Sequence, residues 1–260
     1  MPEFNFSHRF PGVVWNTVAY PKEDLVLLEI RDTSHKQVTF SALNYKTNQF
    51  LWHDRKLDEP WWVNVSGIVN GVALFTVYLD TANPDKKAVL AYMLADLKLL
   101  WWHNDFSIST IYKNSIVGYT SKLGLKEVVL DVQSGKEYTG QKGAETTEIE
   151  NSGDVLKPVQ YLEGTSYFET VKIFLAERLN FSVLNSLEYL ETSSHIVISC
   201  YVKQNDLANY LIVLTLNGDL ALKEILDSSV KGIGLDTFFA IGRSLFFVRN
   251  KMEFVSYTMI

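Results

Sequence analysis

One segment of this chain occurs twice. Phe40–Trp52 reads FSALNYKTNQFLW, and 49 positions later (40 to 89) Val89–Trp101 reads VLAYMLADLKLLW. Each copy is an apolar, strand-like run, a four-residue polar interruption and a second short run that ends in Trp. A single hairpin of this kind cannot bury its own apolar face. The repeat therefore predicts one supersecondary unit, copied and stacked against its neighbours. The copies align without a gap: Ala42 with Ala91, Leu51 with Leu100, Trp52 with Trp101. Weaker copies follow at Val128–Tyr138, where Ser134-Gly135 supplies the turn, and at Leu211–Leu222, where Asn217-Gly218 is a two-residue hairpin signal.

Two further strand candidates precede each hairpin: Val13–Tyr20 and Leu25–Arg31, Trp61–Ser66 and Val72–Leu79, Ser107–Tyr112 and Ser115–Thr120, Val183–Leu190 and His195–Lys203. Four antiparallel strands in about 40–50 residues make a propeller blade. The last segment supplies only three strands, Leu235–Ala240, Ser244–Arg249 and Glu253–Thr258, while Phe4–Phe10 alternates Phe with other residues and has no local partner. Pairing the two removes both exposed edges. The expected fold is all-β: a single β-propeller domain over residues 1–260, with five four-stranded blades closed by the N-terminal strand. Residues 139–181 form an insertion between blades 3 and 4. Within it Gly140–Asp154 is polar and expected to be mobile, and Ser166–Leu179 is expected to be a helix. Ser166 and Glu169 have capping-box spacing, and Phe168, Val171, Phe174, Leu175 and Leu179 recur at helical period. A sixth, degenerate blade within the insertion is the competing reading.

Charge and cysteine usage narrow the function classes. The 30 acidic and 24 basic residues are interspersed, for a net charge of −6. No basic stripe tracks a face, so nucleic acid is not an expected partner. No stretch approaches the ~20 apolar residues that span a bilayer. MPEFNFSHRFPG lacks the basic start and apolar core of a signal peptide. Cys200 is the one cysteine, within HIVISCYV. A buried, inert thiol and a reducing, cytoplasmic compartment are expected.

The hairpin Ser41–Trp52 resembles the repeat of quinoprotein-dehydrogenase-like propellers, Ala-x-Asp-x-x-Thr-Gly-Lys-x-x-Trp. Ala42, Thr47 and Trp52 match, while Asn44, Asn48 and Gln49 stand at the Asp, Gly and Lys positions. In the third copy Asp131, Gly135 and Lys136 match, Ser134 replaces Thr, and the Trp is missing. These are turn and packing positions, so the resemblance implies a fold and no chemistry. The chain also resembles an uncharacterised bacterial domain family built on this repeat, with no assigned activity. Dehydrogenases of the superfamily typically have eight blades, bind pyrroloquinoline quinone and often carry adjacent cysteines. This chain is too short for eight blades and has no Cys pair, so no cofactor is expected.

The five histidines show no metal-ligand spacing, and no metal is expected. No nucleophile elbow, phosphate loop or dinucleotide fingerprint is present. Carboxylates at candidate innermost strands are Asp58, Glu59, Asp105, Glu188 and Asp236. Two of them across a central funnel would suit glycosidic hydrolysis, which is the alternative function. The aromatic pairs Trp61-Trp62 and Trp101-Trp102 each place one ring on either side of a strand. One ring of each pair fills the space between blades, and the other is a candidate surface for a peptide or sugar. With Phe168 and Phe174 on the helix they form the expected binding set. The leading expectation is a non-catalytic scaffold or binding module for a protein or peptide.

Overall fold

The computed structural model describes residues 4–120, 125–138 and 155–260. The polar stretch Gly140–Asp154 lies outside the described residues. The chain divides into two compact units, Trp15–Gly153 and the two chain ends, Met1–Val14 with Asp154–Ile260.

In chain order, β1 (Phe6–Arg9) pairs with the far end of the chain. The first sheet is β2 (Val13–Tyr20), β3 (Leu25–Asp32), β4 (Gln37–Asn44) and β5 (Gln49–Arg55). The second is β6 (Val63–Val69), β7 (Val72–Tyr78), β8 (Lys87–Met93) and β9 (Lys98–Asn104). The third is β10 (Ser107–Ile111), β11 (Ser115–Thr120) and β12 (Lys126–Asp131). Then come β13 (Val155–Leu156), β14 (Val159–Leu162) and α1 (Ser166–Leu179). They are followed by β15 (Val183–Glu191), β16 (His195–Lys203), β17 (Leu207–Thr215) and β18 (Leu220–Asp227), and by β19 (Phe238–Ile241), β20 (Ser244–Arg249) and β21 (Glu253–Thr258). The fourth sheet runs β14-β15-β16-β17-β18 and the fifth β1-β21-β20-β19-β13. All registered strand pairs are antiparallel, including Phe6 opposite Ser256 and Arg9 opposite Glu253. Besides the expected helix, the insertion supplies β13 to the edge of one sheet and β14 to the edge of the next.

The repeat has a specific job in the first unit. The Trp52 indole N–H donates to the Leu94 carbonyl at 2.7 Å, and the Trp101 indole N–H donates to the Val132 carbonyl at 2.8 Å. Each Trp sits on the last strand of one sheet and reaches the hairpin turn of the next. Those turns share one backbone device. Asn48, Leu97 and Gly135, equivalent in the alignment, all have φ in the left-handed region (58°, 57° and 68°), where only Gly is free of a Cβ penalty. At Gly135 space is also short, since a Cβ there would lie 2.5 Å from the Trp101 ring. Gly135→Ala is therefore expected to lower stability by about 1–3 kcal/mol, read as a shift in the urea midpoint at unchanged slope.

Apolar clusters lie between consecutive sheets of the same unit. Leu25, Leu27, Phe40 and Trp52 of the first sheet meet Val63, Val65 and Phe75 of the second. Leu74, Val89 and Trp101 of the second meet Ile116, Val128 and Leu130 of the third. In the other unit Val197, Leu211 and Val213 meet Phe238, Leu245 and Phe247. The opposite face of the fourth sheet is covered by α1, whose Phe168 and Leu175 pack on Val183, Leu187, Ile198 and Cys200. Burial there pushes the Cys200 thiol up to about 12, far from the thiolate that reacts.

The helix covers the expected residues, but its cap is one position earlier. Thr165 is the N-cap and its hydroxyl accepts from the Phe168 N–H, while Glu169 accepts from the Gly164 N–H at 3.3 Å. Ser166 is already inside the first turn. Asn180, left-handed at φ 55°, closes the C-terminus.

Candidate functional site

One face of β3 carries Leu25, Leu27, Glu29 and Arg31, alternate residues of a strand. The first two sit in the core between the first and second sheets. The last two leave it at the wall of a cavity of about 510 Å³, which Trp15, Asn16, Trp61, Trp62, Asn64 and Tyr78 also line. The loop after β7 closes the rim with Asp80, Thr81 and Pro84.

Arg31 organises this wall. Its Nε–H donates to Glu29 Oε1 at 2.7 Å, Nη1–H to the Trp61 carbonyl at 3.2 Å, and Nη2–H to the Val63 carbonyl at 2.7 Å. The guanidinium carbon lies 5.4 Å from the Trp15 ring and 5.2 Å from the Trp61 ring, within cation–π range. Lys36 Nζ lies 4.7 Å from Trp61. Glu29, whose side chain has no solvent exposure, uses its other oxygen to accept the Val65 N–H at 3.0 Å. Burial raises its pKa, opposed by the Val65 N–H and by Arg31. Asn16 donates to the Val65 carbonyl at 3.3 Å. Two tryptophans keep open surface: Trp15 is 65% exposed and Trp62 47%.

The carboxylates expected from sequence occupy other positions. Glu59 Oε1 accepts the N–H groups of Trp61 (3.0 Å) and Trp62 (2.8 Å), so it folds the turn that presents those rings. Asp58 is exposed, and Asp105 sits at φ 58° between β9 and β10. Glu188 and Asp236 do come together, but as a clasp. Glu188 is buried and accepts the Asp236 N–H (2.6 Å), the Thr237 N–H (3.0 Å) and the Thr237 hydroxyl. Asp236 turns outward to Lys157 at 2.7 Å. None of the five lines the cavity.

Among the expected aromatic residues, Trp61 and Trp62 line the cavity, although they precede β6 in a turn rather than lying within a strand. Trp101 is buried between sheets while Trp102 is 62% exposed on β9, as alternation requires. Phe168 is fully buried, and Phe174 is half-buried against the same helix–sheet cluster. Both are packing residues, because a lone helix must spend its apolar stripe on the sheet beneath it. Among the described residues no three His, Cys, Asp or Glu side chains gather as a metal site, and no helix is long and apolar enough to cross a membrane.

Glu188 gives a pH test of its own. Burial raises its pKa, opposed by the Thr237 and Asp236 donors, and the Asp236 charge adds to the rise. A raised carboxyl favours the folded state when protonated. Its contribution is therefore complete below the ordinary value of 4.5 and is lost as pH rises through the folded-state value. Glu188→Gln does not titrate, so the stability difference between wild type and this variant is expected to be largest near pH 4 and to shrink towards pH 8. A difference that widened with pH would show that the three donors hold the carboxylate charged.

No curated protein matches the sequence. Solved structures align along nearly the whole chain but loosely. They include BamB from Moraxella catarrhalis (8% identity, 95% of this chain and 83% of that one, TM-score 0.36). A putative exo-beta-1,3-galactanase from Bifidobacterium bifidum s17 aligns at 6% identity (97% and 94%, TM-score 0.29). An endo-arabinase from Bacteroides thetaiotaomicron VPI-5482 aligns at 10% (97% and 98%, TM-score 0.28). At such scores these likenesses carry no argument about function. The model of a domain of unknown function, DUF4905, matches residues 19–101, a stretch that takes in every residue lining the cavity except Trp15 and Asn16.

Proposed function

We propose that this chain is a non-catalytic binding module, built as a five-bladed β-propeller closed by its N-terminal strand, and that it takes its ligand in the tryptophan-walled cavity of the first two sheets. Consecutive antiparallel sheets and the pairing of β1 with β21 support the propeller. A disc-like envelope in solution scattering is expected, and an elongated, two-lobed one would remove the ring.

The observation that carries the binding reading is that the carboxylates and the guanidinium of the cavity are already committed. Both Glu29 oxygens accept hydrogen bonds, Arg31 holds two carbonyls, and Asp80 is engaged by Lys86 (3.2 Å) and the Ala82 N–H. Open aromatic surface remains beside them. Such a site offers contact area and orientation rather than a free acid–base pair. A protein, a peptide or a sugar can present a group that fits it.

Peptide and glycan arrays probed with the purified protein test this reading. A ligand whose binding is lost in Trp15→Ala or Trp62→Ala and kept in Trp102→Ala supports it. Turnover of a glycoside or peptide that falls in Asp58→Asn or Glu59→Gln overturns it. So does a ligand indifferent to Trp15 and Trp62.

A further inference from the structure

We infer that the cavity between the first two sheets binds a neutral saccharide, as a ligand and not as a substrate. This rests on the proposal that the cavity is the binding site, and adds the chemistry of what enters it. Three classes of ligand can be weighed against the residues present.

A cation is disfavoured. Aromatic walls attract ammonium groups through the negative face of each ring, but here the chain's own cations already lie over two of the three tryptophans. Arg31 lies over Trp15 and Trp61, and Lys36 over Trp61. An incoming ammonium would have to displace one of them from its ring or sit beside the Lys36 charge. An anion gains little either, because Arg31 is neutralised at 2.7 Å by the buried Glu29, and Asp80 stands on the rim.

A peptide adding as a strand is also disfavoured. β6 is the edge of its sheet, where unpaired N–H and C=O groups would ordinarily template another chain. Beside the cavity three of them are taken by side chains of the first sheet. Val63 O accepts from Arg31, Val65 N–H donates to Glu29, and Val65 O accepts from Asn16. At Val63 and Val65 the edge is closed to main-chain pairing.

What is left is the ring surface of Trp62 and the part of Trp15 that Arg31 leaves exposed, bordered by short planar or hydroxyl side chains: Asn16, Asn64, Asp80 and Thr81. A sugar ring pairs one apolar face with an equator of hydroxyls that both donate and accept. That matches a tryptophan platform ringed by amides and a carboxylate. The volume, about 510 Å³, falls within the ~300–1,000 Å³ of small-ligand sites.

The experiment is a glycan array carrying neutral and acidic glycans, read beside a decaproline peptide, with hits followed by titration calorimetry on the full chain. Binding of a neutral glycan is expected, weakened about 10-fold or more by Trp62→Ala and unchanged by Trp102→Ala. Trp62 is half exposed, so its loss should leave the fold intact, and an unchanged thermal melt checks this. Binding confined to acidic glycans, with steep salt dependence, overturns the inference. Decaproline binding that needs Trp62, without any glycan, also overturns it but leaves the binding cavity standing. Absence of both, in a protein that melts normally, removes the cavity reading as well.

Discussion

Truncating Trp101 to alanine is expected to cost about 3–5 kcal/mol, the range for a large aromatic side chain removed from a packed core. The ring is buried among Leu74, Val89, Val128 and Leu130, and its N–H is the donor to Val132 O. Alanine leaves a cavity between two sheets and a carbonyl without that donor, and the Gly135 turn loses the ring it was shaped to admit. Trp101→Phe keeps part of the area without the hydrogen bond and should fall between. Trp102→Ala, one residue on and facing solvent, should stay within about 0.5 kcal/mol of wild type. Urea unfolding of the three variants checks this. A loss below about 1 kcal/mol for Trp101→Ala would mean that the repeat Trp does not couple neighbouring sheets.

Removing residues 1–10 is expected to have a comparable effect, about 3–5 kcal/mol, with a change in solution behaviour besides. Phe10 is buried, which for a side chain of that size contributes about 2–3 kcal/mol. Phe4 meets Phe247 and Tyr257 edge-on and lies under the Arg249 guanidinium at 4.9 Å. Asn5 and Phe10 N–H groups donate to Ser256 and Met252 carbonyls, and the Asn5 side chain accepts the Thr258 N–H. Each such bond contributes about 1 kcal/mol net, less the entropy of ordering the segment. Without the segment β21 becomes a free edge, and concentration-dependent association should appear in size-exclusion chromatography. A peptide of residues 1–10 added in trans should suppress it. A truncated protein that stays monomeric with an unchanged melt would show that β1 contributes little.

How far the fold could be read from the sequence depended on whether a signal was local. Asn217-Gly218 and Ser134-Gly135 mark turns because φ > 0 demands such residues, and the strands at His195–Lys203, Ser244–Arg249 and Glu253–Thr258 have the expected bounds. The third hairpin folds back as expected over its described residues: Leu130 bridges Glu137, and the Tyr138 N–H donates to the Val129 carbonyl. β13 and β14 were missed because two- and four-residue strands carry too short an alternation to register. The cavity was half legible. The Trp61-Trp62 doublet drew attention by its bulk, whereas Trp15 and Asn16 reach it from β2, far away along the chain. A usable clue was passed over in LVLLEIRD. A charged pair two apart on a strand otherwise buried throughout needs a reason, and Glu29 with Arg31 supplies it by tying two sheets together.

The pairing of β1 with β21 also sets a timetable. Ser7 and Glu253 stand 246 positions apart, so β1 leaves the ribosome well before its partner strand is made. At about 5–20 residues per second, that interval is on the order of tens of seconds. Throughout it Phe4 lacks Phe247 and Tyr257, the rings it packs against, and β1 lacks the strand it pairs with. Refolding should therefore finish with a slow step in which β1 and β21 find each other, and a holding chaperone should engage the nascent protein at β1.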